Sequence, residues 1–216
     1  MSVRILLADD HEIVRRGLKE LLEEQVGWTV CGEAANGREA VDLAVQSGPD
    51  VAVLDFSMPE LNGLEATRRI RQLAPLVEVL VFTMHESEEL IREVLSAGAR
   101  GYLLKSDATR QLIPAIESLA RHKPFFSGRV SEVVLEGFLK GGASGPVSLA
   151  TDRLTSRERE IIQLLAEGNS NKDIARRLTL SVKTVETHRA AVMRKLELSS
   201  LADIIRWAIR NNVIQP

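Results

Sequence analysis

Two adjacent carboxylates, Asp9 and Asp10, stand at the end of an apolar run in LLADDHE, residues 6–12. Neighbouring like charges repel, and Asp is a poor strand residue. A third carboxylate, Asp55, closes the run DVAVLD. Three carboxylates sharing one crevice raise one another's pKa unless a cation neutralises them. Hard oxygen ligands in low number suit Mg²⁺, which keeps several waters and accepts one or two carboxylates together with phosphate oxygens. Two further apolar runs end on Thr83, a hydroxyl donor, and on Lys105, a compact ammonium suited to carboxylate or phosphate. Acids, hydroxyl and lysine together form a phosphoryl-transfer constellation with Asp55 as the nucleophile. Each residue has a plainer role by itself: Asp10 as a helix N-cap, Thr83 as strand filler, Lys105 as a solvated strand end, Asp55 as the start of a turn. Their joint occurrence at successive run ends favours the chemistry. His11 reads as a solvated residue at a helix start.

The elements that must position these groups alternate. Short apolar runs at 3–8, 50–56, 78–84 and 101–105, with a weaker fifth at 28–34, have the length and β-branched content of buried strands. Helical periods lie between them, and the last, Thr109 to Arg121, contains Pro114, which predicts a late start or a kink. Five βα units in order predict a doubly wound α/β fold with a five-stranded parallel sheet. In such sheets ligands bind outside the carboxyl ends of the strands, where all the candidate residues fall.

Residues 122–150 break the pattern and end in GGASGPVS (141–148), the composition of a flexible linker; a short amphipathic helix fits within them. From Leu154 the period is helical throughout. Thr155 with Glu158 makes a capping box, and Ser170, Ser181 and Ser200 are placed to cap three more helices. A small all-α domain of four helices follows over 151–216.

The 216 residues carry a net charge of −2, divided unevenly: −6 over 1–123, zero over 124–150 and +4 over 151–216. An acidic front and a basic back suit different partners, the basic end a polyanion. The single cysteine, Cys31, excludes an internal disulfide framework and reads as a packed small residue. No apolar run reaches the roughly 18 residues of a membrane span, and no basic-then-apolar leader opens the chain, so a cytoplasmic location without membrane insertion is expected.

The helix predicted after Ser181 is apolar at Val185, Val192 and Leu196 and presents Lys183, Thr187, Ala190 and Arg194 on its other side. Short side chains where bases approach and cations where phosphates flank are what a helix in a major groove of double-stranded DNA needs. Arg189 and Lys195 add nearby charge. A generic helical bundle is the plainer alternative.

ADDH (8–11), VLDFSMPELNGLE (53–65), FTMHE (82–86) and AGARGYLLKSD (97–107) resemble the receiver domain of two-component response regulators, which is flavodoxin-like. The resemblance implies that a sensor histidine kinase phosphorylates Asp55. It assigns Mg²⁺ to Asp10, Asp55 and the backbone carbonyl of Ser57, with Asp9 supporting. It also implies that Thr83 turns inward on phosphorylation and that Tyr102 fills the space it leaves. Many receivers follow the lysine with a cis proline; Ser106 stands there instead, which leaves the backbone at 105–106 open, since a cis bond before a non-proline costs about 2.5–4 kcal/mol.

The segment REREIIQLLAEGNSNKDIARRLTLSVKTVETHRAAVMRKLEL resembles the LuxR-type helix-turn-helix. By that resemblance 171–178 and 182–196 are its two helices, the motif spans 171–190, and Thr184 and Glu186 join the DNA-facing set. Glu186 could accept from a cytosine amino group or repel phosphates. The last helix, with Leu201, Ile204, Ile205 and Ala208, is implied as the dimer contact on DNA. Receiver (1–121), linker (122–150) and reader (151–216) together resemble the NarL/FixJ class, a phosphorylation-switched transcription factor that forms a homodimer on DNA. A metal-dependent phosphatase is the competing class, but no further residue is placed to hold an organic substrate, so a non-enzymatic regulator is expected. A phosphorylation-independent DNA-binding protein is the third, and the intact acid, Thr and Lys set weighs against it.

Overall fold

The structure, a computed structural model, describes residues 2–128, 130–132 and 154–214. The chain divides into two compact units, Met1–Ser144 and Gly145–Pro216.

In the first unit, strands β1 (Val3–Ala8), β2 (Trp28–Ala34), β3 (Val51–Asp55), β4 (Glu78–Thr83) and β5 (Gly101–Leu104) alternate with helices α1 (Glu12–Glu23), α2 (Gly37–Ser47), α3 (Gly63–Leu73), α4 (Glu88–Ser96) and α5 (Ala108–Ala120). All strand pairs are parallel, in the order β2-β1-β3-β4-β5 followed by a short edge strand. The expected five strands are present, but a sixth, β6 (Phe125–Phe126), lies against β5 within residues read as linker. Two residues after a proline carry no periodic signal, so their pairing is decided by the open edge beside them. A helical turn begins at Gly128; most of the amphipathic helix expected in this stretch, and GGASGPVS, lie outside the described residues.

The sheet is covered on both faces. Leu6, Ala52, Leu54, Val79, Val81 and Tyr102 join one core with α2, α3 and α4, and Ile5, Leu7, Val53, Leu80 and Leu103 join the other with α1 and α5. Every residue of β3 and β4 is buried, as expected for central strands. Asn36, Asn62 and Ser87 accept from the backbone N–H groups of Glu39, Glu65 and Leu90, capping α2, α3 and α4. Gly63 lets α3 begin in contact with the carbonyl of Asp55, where a Cβ would collide with it. α5 runs through Pro114 after a short 3₁₀ turn at Lys105–Asp107, so the proline neither delays nor ends it.

The second unit contains α6 (Ser156–Ala166), α7 (Asn171–Arg177), α8 (Val182–Lys195) and α9 (Leu201–Arg210). The Thr155–Glu158 capping box forms, and Ser170, Ser181 and Ser200 each cap the following helix. Leu154, Ile161, Ile162, Leu165, Ile174, Leu178, Val185, Val192 and Ile204 make its core.

Candidate functional site

β1, β3 and β5 are in register, so their carboxyl ends bring Asp9, Asp55 and Lys105 together. Lys105 Nζ lies 2.6 Å from Asp9 Oδ2 and 3.2 Å from Asp55 Oδ1. Carboxylate oxygens of Asp9, Asp10 and Asp55 and a ring nitrogen of His11 lie within 4.8 Å of one another. Asp9 is the fixed member: it is buried and accepts the His11 N–H at 2.8 Å, while Arg15 Nη1 donates to its carbonyl at 2.6 Å. Asp10 is the open member, 2.8 Å from His11 Nδ1. It does not cap α1, because the N-cap residue is His11.

Burial pushes the Asp55 carboxyl above the ordinary aspartate range; Lys105 pulls it down, and Asp9 and Asp10 push it up again. Burial alone would lower the Lys105 ammonium, but its bond to Asp9 and the charge of Asp55 outweigh that, so it is held charged. Three carboxylates against one ammonium leave the crevice with excess negative charge. Oxygen donors this close, with one carboxylate still open to solvent, fit a small hard divalent cation.

Thr83 and Tyr102 are both completely buried, so Tyr102 already points inward without any displacement of Thr83. Thr83 Oγ1 accepts the His85 N–H at 3.2 Å, and Tyr102 Oη donates to the His85 carbonyl at 2.7 Å. Burial, with Glu86 adding to it, holds the phenol well above the usual tyrosine range. His85 was given no role from the sequence. Its Nε2 lies 3.4 Å from Ser57 Oγ and its ring stands edge-on to Phe56 at 5.8 Å. Nothing in FTMHE signals this, because the contacts cross from β4 to the loop after β3. The Lys105–Ser106 bond is trans.

In the second unit, α7, a turn at 178–181 and α8 form a helix-turn-helix, with Thr179 in the left-handed region at φ 53°. Lys183, Glu186, Thr187, Ala190 and Arg194 are exposed on α8, whereas Thr184 and Arg189 are half-buried. Thr184 Oγ1 is taken up by the cap, 2.7 Å from Ser181 Oγ. Lys195, expected as a DNA-facing charge, has its Nζ 2.6 Å from Oε2 of the buried Glu158, joining the end of α8 to the start of α6. The four dimer candidates on α9 differ in burial. Ile204 and Ala208 are fully buried in their own unit, whereas Leu201 is exposed and Ile205 half-buried.

Residues 5–117 match the response regulator receiver domain, and residues 152–208 match the bacterial regulatory proteins of the luxR family. The chain is 36% identical to the oxygen regulatory protein NreC of Staphylococcus epidermidis over 99% of this chain and 100% of that protein. It is 36% identical to the transcriptional regulatory protein LiaR of Bacillus subtilis over 98% and 99%. Among solved structures it resembles a LuxR-family two-component response regulator from Aurantimonas, with 37% identity and a TM-score of 0.61 over 64% of this chain and 99% of that one. RcsB from Salmonella enterica, solved on promoter rprA with the phosphomimetic BeF₃⁻, is 25% identical with a TM-score of 0.60, over 96% and 98%. An acidic crevice at the strand ends of one unit and a helix-turn-helix in the other thus place this chain in the family of two-component response regulators, a receiver domain joined to a LuxR-type DNA-binding domain.

Proposed function

We propose that Asp55 accepts a phosphoryl group from a sensor histidine kinase and that this modification controls the binding of the second unit to DNA. The supporting observation is the convergence of Asp9, Asp10, Asp55 and Lys105 at the strand ends. An Asp55 oxygen forms the new bond to phosphorus as the bond from phosphorus to the kinase histidine nitrogen breaks, and the imidazole leaves with that electron pair. Lys105, held charged by Asp9, balances the incoming phosphoryl oxygens. Thr83, whose oxygen accepts from His85, keeps its own proton to donate to a phosphoryl oxygen. Asp10, Asp55 and the Ser57 carbonyl would hold Mg²⁺, with Asp9 supporting through its bonds to Lys105 and His11. A bound Mg²⁺ supplies charge neutralisation for the transfer.

In the second unit α8 enters the major groove, with Lys183, Glu186, Thr187 and Ala190 toward bases and Arg189 and Arg194 toward phosphates. The RcsB complex with a promoter supports this reading. Phosphorylated chains form a homodimer on DNA, with Leu201 and Ile205 at its contact. A protein with these two partners works in the cytoplasm. The test is labelling by acetyl phosphate in Mg²⁺: Asp55→Asn should abolish it and leave the circular dichroism unchanged. Undiminished labelling of that variant removes Asp55 from the role.

A further inference from the structure

The edge of the receiver sheet beyond β5 is covered by the chain's own next segment. After α5, His122 adopts the left-handed region at φ 56° and turns the chain back. Ser118 Oγ donates toward the carbonyls of Lys123 at 3.2 Å and Pro124 at 3.3 Å, and Phe125 N–H donates to the Arg100 carbonyl at 2.9 Å. Successive strand side chains point to opposite faces. Phe125 accordingly packs with the cluster containing Leu112, Ile116 and Leu119, and Phe126 with the one containing Tyr102. Val130, 1% exposed, joins the Tyr102 side, and Ser131 Oγ closes the turn on the Phe126 carbonyl at 3.1 Å.

This seat is connected to Thr83, at the end of the strand paired with the one that Asp55 closes. Phe126 is the ladder partner of Tyr102. The Tyr102 hydroxyl donates to the His85 carbonyl, and the His85 N–H donates to Thr83 Oγ1. A phosphoryl oxygen on Asp55 adds an acceptor at the Thr83 end of this series without breaking any bond in it. The result is a firmer hold on inward Tyr102, and so on the surface that Phe126 and Val130 occupy. A two-residue strand at a sheet edge has few bonds of its own, which puts it among the elements that open most readily.

We propose that residues 124–128 and 130–132 belong to a strap that phosphorylation of Asp55 tightens through Thr83, His85 and Tyr102, fixing the point at which the chain leaves the receiver. This rests on Asp55 being the phosphoacceptor. The test is amide hydrogen exchange on the full chain in Mg²⁺, with and without beryllofluoride, beside acetyl phosphate labelling of the same preparation. Exchange across 124–132 should slow by about fivefold or more, the lower bound of ordinary coupling between sites. Tyr102→Phe keeps the ring and loses the bond to His85, so in saturating beryllofluoride it should lose the slowing. Coupling is reciprocal, so Phe126→Ala should weaken beryllofluoride binding, read by calorimetry, by the factor seen in exchange. Normal labelling of the parent with unchanged exchange at 124–132 overturns the strap and leaves the phosphoacceptor standing. Slowing that survives in Tyr102→Phe also overturns the proposed route. No labelling at all overturns both.

Discussion

Asp55→Asn should make the receiver more stable in the absence of divalent cations. Asp55 faces two carboxylates within 4.8 Å and one ammonium at 3.2 Å. At an effective dielectric of about 20, each repulsion costs about 3.5 kcal/mol and the attraction gains about 5 kcal/mol. The two repulsions therefore outweigh the attraction by about 2 kcal/mol before any desolvation cost. The amide keeps an oxygen for Lys105, which also retains its closer partner, Asp9 at 2.6 Å. We expect a gain of about 1–2 kcal/mol, a rise in Tm of about 3–8 °C for a unit of this size. The sign with pH follows from the raised folded-state pKa of Asp55. Its contribution to stability is fully present below the ordinary aspartate pKa of about 3.9 and is lost as pH rises through the folded value. The advantage of the variant should therefore be absent in acid and grow as pH rises above that range. Mg²⁺ at about 100 times its Kd adds about 2.7 kcal/mol to the parent, which should close or invert the gap. The assay is thermal unfolding of both full chains by circular dichroism, in EDTA and in Mg²⁺. A variant that melts below its parent in EDTA, or equal stabilisation of both by Mg²⁺, refutes this electrostatic account of the crevice.

Thr187→Ala should relax base preference by about 1–3 kcal/mol, whereas Arg194→Ala should weaken all DNA about equally and flatten the salt dependence; titrations on operator and random duplexes separate the two. Lys195→Ala leaves Glu158 buried without its ammonium and should destabilise the second unit by about 1–2 kcal/mol, read from Trp207 fluorescence in urea. Burial pushes Glu158 up, but the bonds from Lys195 and Thr155 outweigh it and leave it below the ordinary glutamate range, so its contribution is present above that range and is lost as pH falls through the lowered value. The fragment 151–216 should bind DNA without a phosphodonor, read in a gel-shift assay. A fragment that binds no DNA would show that the second unit needs the receiver to bind.

The order of strands and helices in the receiver was legible in the sequence because period and composition are local. Four helix caps in the second unit were legible for the same reason: a serine or threonine followed three residues later by the backbone N–H it accepts is a contact of short range. The crevice residues could also be named in advance, since a parallel sheet puts every strand's carboxyl end on one side and each of Asp9, Asp55, Thr83 and Lys105 ends a strand or directly follows one. What tertiary structure alone decided involves partners far apart in the chain. Lys105 reaches Asp9 across 96 positions, which makes Asp9 rather than Asp10 the buried anchor. The pairing of Lys195 with Glu158, 37 positions earlier, is likewise set by the fold of the second unit. Ile204 and Ala208 share a helical face with Leu201 in any sequence reading, but the fold of the whole unit determines which part of that face meets the core. β6 is the clearest case: Phe125 and Phe126 become a strand because β5 offers an unpaired edge and an apolar core on each side, a property of the assembled sheet and of no sequence window within it.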